Sequence, residues 1–240
     1  MYWIPRYIFT ARKLLLILEH DKIAFMRPQP TRFLFLIFAL FIFACAPTLA
    51  LPTAVPPSGT TLFKDDFSAP TTGWDRTKYA EGVMDYFGGG YRILVNALQT
   101  NFWSTPHKDL ADVRIEVDAG KLAGPDQNRI GVFCRYAASD YYFFIISSDG
   151  YYAIGIFTKG QAVLLGQEQM QFSDKIVQGM AVNHLRADCS GDTLTLFVNG
   201  VQLAQVHDKN LTHGDFGLLA GTFDKPGVDI IFDNFIVLKP

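Results

Sequence analysis

Trp103, Tyr141, Tyr142 and Tyr152, with Arg135, Asp149 and Glu116, are the residues of this sequence best suited to holding a sugar. A sugar ring offers an apolar CH face and polar edges, so its recognition needs flat aromatic surface beside hydrogen-bonding groups. Packing in a core or at a sheet edge is the ordinary alternative for each aromatic. Trp74, directly after Gly73, reads instead as a structural plug at one end of the fold. A second group, Asp65, Asp66, Asp233 and Asn234, comes from the two ends of the folded region. Carboxylates with an amide oxygen suit calcium, with Asp66 and Asp233 as ligands, if the first and last strands pair. Satisfying backbone donors at strand ends is the other use open to Asp66 and Asp233. No other cofactor is indicated. The five histidines are scattered without metal-ligand spacing, and no Cys-x-x-Cys, Walker loop, Gly-x-Ser-x-Gly or His-Glu-x-x-His is present.

The elements that must position these residues are strands. From Leu62 onward, short runs rich in Val, Ile, Phe, Tyr and Thr are broken by turn residues every eight to twelve positions or so. Val113, Ile115 and Val117 alternate with Arg114, Glu116 and Asp118, the pattern of a half-buried strand. Leu194, Leu196 and Val198 alternate with Thr193, Thr195 and Phe197 in the same way. Gly88-Gly89-Gly90, Ser148-Asp149-Gly150, Lys159-Gly160 and Asn199-Gly200 are turn signals. Asp-Gly and Asn-Gly suit two-residue hairpins, whose central residues need positive φ. About a dozen antiparallel strands in this length imply an all-β fold of two stacked sheets. Tyr141 to Ile146 is apolar on both faces, so a second layer must cover it: a loop, an aromatic cluster or a ligand.

Charge is unevenly placed. Residues 1–45 hold 6 Lys+Arg against 2 Asp+Glu, whereas residues 46–240 hold 15 against 21. A mildly acidic domain without a basic stripe is a poor partner for nucleic acid. Arg27 and Arg32 precede an almost purely apolar run from Phe33 to Ala46, the layout of a secretory signal. Met26 would start such a signal, which leaves residues 1–25 as an N-terminal extension or a start-site artefact. Residues 26–50 then have three possible fates. Ile42-Phe43-Ala44-Cys45 resembles the lipobox of bacterial lipoproteins, with Cys45 the lipidated residue and Phe43 a departure from the pattern. Cleavage after Ala50 would release the protein, and retention would leave a hydrophobic membrane helix. Each places the folded domain outside the cytoplasm, and two of them anchor it to the membrane. Residues 51–60 continue as a Pro-rich spacer. With Cys45 assigned to the anchor, Cys134 and Cys189 remain as a disulfide pair, or as two unrelated buried thiols.

The order of motifs in residues 61–240 resembles concanavalin A-like lectin/glucanase domains. The resemblance runs through Leu62-Phe63-Lys64-Asp65-Asp66-Phe67-Ser68 with Gly73-Trp74, then Arg135-Tyr136, Tyr141-Tyr142-Phe143 and Asp149-Gly150-Tyr151-Tyr152. Asn183, Leu185, Phe197-Val198-Asn199-Gly200-Val201, Gly217-Leu218 and Phe232-Asp233-Asn234-Phe235 complete it. It is most similar to the laminin-G-like and 3-keto-disaccharide-hydrolase-like branches found in exported bacterial proteins. The resemblance implies a jelly-roll-like sandwich with one concave sheet where glycans lie. Retaining β-glucanases of this group carry a Glu-x-Asp-x-Glu strand, in which alternate residues share a face. Here Glu116-Val117-Asp118-Ala119-Gly120 begins that pattern and has glycine in place of the second glutamate. Without it the retaining mechanism fails, and Arg114, Glu116 and Asp118 read as a solvated strand face. The expectation is therefore a non-catalytic module of the cell envelope that binds carbohydrate. The alternatives are a glycoside-processing hydrolase of the 3-keto-disaccharide type and a structural protein-interaction domain, which would show an apolar patch without a groove.

Overall fold

The computed structural model describes residues 56–240; the expected N-terminal helix, Cys45 and the start of the spacer lie outside the described residues. The chain opens with β1 (Thr61–Asp65), β2 (Thr77–Tyr79), β3 (Gly82–Phe87), β4 (Gly90–Val95) and β5 (Asn101–Ser104). The middle holds β6 (Val113–Ala123), β7 (Asn128–Ala137), β8 (Asp140–Ile146), β9 (Tyr151–Thr158), β10 (Gln161–Leu164) and β11 (Gln171–Phe172). The last five strands are β12 (Val182–Ser190), β13 (Thr193–Val198), β14 (Val201–His207), β15 (Asp215–Thr222) and β16 (Val228–Leu238). The excess over a dozen comes from pieces too short to show a period, such as β2 and β11.

Two antiparallel sheets form a sandwich. The nine-stranded sheet runs β14-β13-β12-β6-β16-β4-β3-β2, with β1 also paired to β16. The seven-stranded sheet runs β10-β9-β8-β7-β15-β5, with β11 paired to β9. First and last strands do pair, Thr61 opposite Leu238 and Asp65 opposite Phe235. Alternation delivers the core as expected: Val113, Ile115 and Val117 meet Leu185, Leu194, Leu196 and Val198 in one buried cluster between the sheets. Each large apolar side chain fully removed from water there contributes about 1.5–3 kcal/mol.

Local chemistry shapes the connections. Asn199 and Gly200 both have positive φ, 50° and 80°, as the two-residue hairpin between β13 and β14 requires. Asp149-Gly150 departs from that expectation. Only Gly150 has positive φ, and the Gly150 N–H donates to the Ser147 carbonyl at 3.0 Å in a longer turn. Trp74 is buried among Phe63, Phe67, Tyr91 and Phe235, and its Nε1 donates to Asp65 Oδ2 at 3.0 Å. Cys134 on β7 and Cys189 on β12 form a disulfide that ties one sheet to the other through the core.

Candidate functional site

The register of the seven-stranded sheet sorts its side chains by face. Along β8, Tyr142, Phe144 and Ile146 enter the main core, and Tyr141, Phe143 and Ile145 join a separate cluster on the outer side. Trp103, Leu219, Gly131, Ile145 and Ala153 form one cross-strand row on that outer side. Gly217, Phe133, Phe143, Gly155 and Leu164 form the next. Aromatic rings require the glycines of this second row. A Cβ on Gly155 would lie 2.1 Å from Phe143 Cζ, and one on Gly217 would lie 2.5 Å from Phe133 Cζ. The rings occupy the space that side chains would otherwise take.

Phe133, Tyr141, Phe143, Ile145 and Leu219 are buried in this outer cluster, with Tyr136, Phe157, Leu164 and Met170 packed against them. The two-faced apolar strand is thus covered by an aromatic cluster and by Met170 from the segment after β10. A cleft of about 380 Å³ opens upon it. Tyr141, Phe143, Ile145 and Leu219 line it from the sheet, and Met170 and Phe223 from the connecting segments. Gln99, Asn101 and Arg129 are its polar members, and no carboxylate lines it. Trp103 stands beside Tyr141, ring centroids 6.5 Å apart, and is 41% exposed. Burial pushes the Tyr141 hydroxyl up to about 12, and nearby Tyr136 adds to the shift. Arg129 Nη1 donates to Asn101 Oδ1 and to the Thr222 carbonyl, both at 2.9 Å. Its guanidinium lies 4.0 Å from the centroid of Phe223, and removal from water pulls its pKa down. An adjoining hollow of about 360 Å³ shares Met170 and Phe223 and adds Asp149, Tyr151 and Asp224.

No family model matches the chain, and no curated protein matches it in sequence. Solved structures do match in shape. The carbohydrate binding module CBM66 from Bacillus subtilis superposes with a TM-score of 0.58 at 16% identity, over 71% of this chain and 98% of that one. A Bacillus subtilis protein of unknown function with a galectin-like fold gives 0.56 at 9% identity, over 76% and 97% of the two chains. The Bacillus licheniformis β-glucanase gives 0.55 at 10%, over 77% and 100%. The chain has the concanavalin A-like jelly-roll fold.

Within this jelly roll, three of the expected sugar contacts share the cleft side: Tyr141 in the cleft, Trp103 beside it, and Asp149 in the adjoining hollow. Three do not. Tyr142 has no exposed surface; its hydroxyl donates to Asp208 and accepts from the Leu211 N–H at 3.0 Å. Tyr152 packs against the main core, and its neighbour Tyr151 takes the outer position. Arg135 is 2% exposed at a bulge with φ of 55°. Its guanidinium donates to the Ala111 and Leu211 carbonyls at 3.0 and 2.8 Å and to Asp112 at 3.2 Å, so it braces loops.

Glu116 and Asp118 face outward from the nine-stranded sheet, on the far side of the jelly roll from the cleft. Asp118 Oδ1 is 2.8 Å from His184 Nδ1, and Arg114 donates to Asp188 at 3.1 Å, the solvated strand face expected of them. A Cβ on Gly120 would already touch Val182 and Ile231 at 3.2 and 3.3 Å. Asp66 Oδ1 accepts from the Ser68 N–H and hydroxyl, and Asp233 Oδ1 accepts from the Asn234 N–H, so both close their own turns. Among the described residues no group of three or more His, Cys, Asp or Glu is placed to hold a metal ion.

Arg129, Phe157, Met170 and Phe223 are cleft residues that the sequence reading does not single out. Arg129 did carry a signal. It lies on the same strand face as Gly131 and Phe133, opposite the core positions Ile130 and Val132.

Proposed function

We propose that this protein is an extracytoplasmic, membrane-anchored module that binds carbohydrate without acting on it. The observation that carries this reading is the cleft over Tyr141 and Phe143. It combines aromatic surface for a sugar's CH face with Arg129, Asn101 and Gln99 for its hydroxyl edge. The common retaining and inverting hydrolyses of a glycosidic bond use two carboxylates flanking the bond, and the cleft has none. Structural neighbours described as a carbohydrate binding module and a β-glucanase support the class of ligand. A cleft also argues against a flat protein-interaction patch. The signal-like segment at residues 26–50 and the Cys134–Cys189 bridge support a place outside the cytoplasm, where disulfides persist.

A glycan array probed with the full-length protein tests this. Saturable binding to one glycan class is expected, weakened roughly fivefold or more in Trp103→Ala, since an aromatic platform contributes about 1 kcal/mol or more. Absence of binding to every glycan by protein with an intact melting transition would transfer the cleft to another ligand. A second reading, a glycoside-processing hydrolase, has one observation in its favour: Asp149 and Asp224 line the same adjoining hollow. Chromatography of the bound glycan decides it. Released sugar that disappears in both Asp149→Asn and Asp224→Asn would establish the hydrolase, and an unchanged glycan would exclude it.

A further inference from the structure

Six arginines lie among the described residues, and five of them are held by aspartates. Asp85 holds Arg76, Asp229 holds Arg92, Asp112 holds Arg135, and Asp188 holds both Arg114 and Arg186. Arg129 has no carboxylate partner among the described residues. Its Nη1 is taken by Asn101 and Thr222, but Nε and Nη2 make no hydrogen bond to the described residues. Neither atom is sealed away, because the only buried side-chain polar atom without a partner among the described residues is Thr77 Oγ1. The unused pair is the edge by which Arg92, Arg114 and Arg186 each hold a carboxylate, with Nε on one oxygen and Nη2 on the other. Arg129 therefore brings to the cleft a fork already oriented by Asn101, Thr222 and Phe223, carrying a charge that the protein leaves uncompensated.

We propose that the cleft selects acidic sugars, with the Nε–Nη2 edge of Arg129 receiving the sugar's carboxylate or sulfate while its CH face lies on the aromatic cluster. This rests on the carbohydrate reading above. A neutral sugar leaves a partly dehydrated guanidinium without a counter-charge, whereas an acidic one supplies the anionic oxygens that each other arginine finds within the fold.

Calorimetric titration of the full-length protein with matched oligosaccharides tests it: oligoglucose against oligoglucuronate, and oligogalactose against its 6-sulfated form. The acidic member of at least one pair is expected to bind about tenfold or more tightly at low ionic strength, an advantage that shrinks with added salt. Arg129→Gln should abolish the preference, lowering affinity for the acidic sugar far more than for its neutral partner. Arg129→Lys, which keeps the charge but not the fork, should restore part of it. A preference confined to the glucuronate pair assigns a carboxylate ligand, and one confined to the sulfated pair assigns sulfate. Equal affinities within both pairs, or a preference that survives Arg129→Gln, would overturn the inference and leave the carbohydrate reading standing. Failure of the protein, with an intact melting transition, to bind any of the four sugars would also overturn the inference, and the glycan array then decides whether the carbohydrate reading stands.

Discussion

Two tyrosine hydroxyls on opposite faces of one strand titrate far from their ordinary range. Burial pushes both Tyr141 and Tyr142 up to about 12, and for Tyr142 donation to Asp208 holds the proton further. Unfolded, each would ionise near 10. Between about pH 10 and 12 the native state therefore binds protons that the unfolded chain has released, so stability falls as pH rises. Their contribution is fully present below about pH 10 and lost above the folded values, with a limiting slope of about 1.4 kcal/mol per pH unit for each tyrosine. Urea unfolding at intervals from pH 9 to 11.5 should show this decline, and Tyr142→Phe should make it shallower. An unchanged slope would mean that the Tyr142 hydroxyl is not held as described. These two residues also mark where sequence stops resolving a site. Both are aromatic in a strand apolar on both sides, so composition cannot say which one faces a cleft. Only the register with β7 and β9 does.

At the scale of elements, strands and hairpins are legible wherever one face is polar. β6 alternates from Val113 to Ala119, β13 does so except at the buried Thr195, and Asn199-Gly200 turns as its positive φ values demand. Legibility ends at the β7 bulge. There Cys134 keeps its inward orientation, Arg135 turns into a loop bracket and Tyr136 emerges on the cleft side, a change of phase with no signature in residue type. Arg129 is legible in the sequence only as to its strand face. Its role follows from what its neighbours do not offer, a carboxylate, and that is a property of the folded arrangement. The disulfide joining β7 to β12 closes a loop with a sequence separation of 55 residues. Replacing both cysteines by serine should lower unfolding free energy by about 2–4 kcal/mol in guanidinium titrations. Because Cys134 lies one residue from Phe133 of the outer cluster, the reduced protein should also bind the proposed glycan ligand more weakly. Full affinity after reduction would show the cleft to be independent of the bridge.

For the whole molecule, the N-terminal segment and the sandwich must act together if the protein works at a surface. If residues 26–50 anchor an outward-facing domain as proposed, protease added to intact cells should reach the sandwich while the anchor stays in the membrane fraction. Full protection from external protease would exclude an outward-facing domain. Mass spectrometry of the membrane-retained fragment would show whether Cys45 carries lipid or an intact hydrophobic helix persists.

The pairing of β1 with β16 has one more consequence. Gly59 N–H donates to the Lys239 carbonyl and Lys239 N–H to the Thr60 carbonyl, each at 2.8 Å, so the chain enters and leaves the sandwich side by side. The sandwich is in that sense a cassette. It could be spliced into a surface loop of a host protein without prising the host's own strands apart. Its two ends could equally be joined by a short bridge and the chain reopened at Gly88-Gly89, giving a permuted protein with the same cleft.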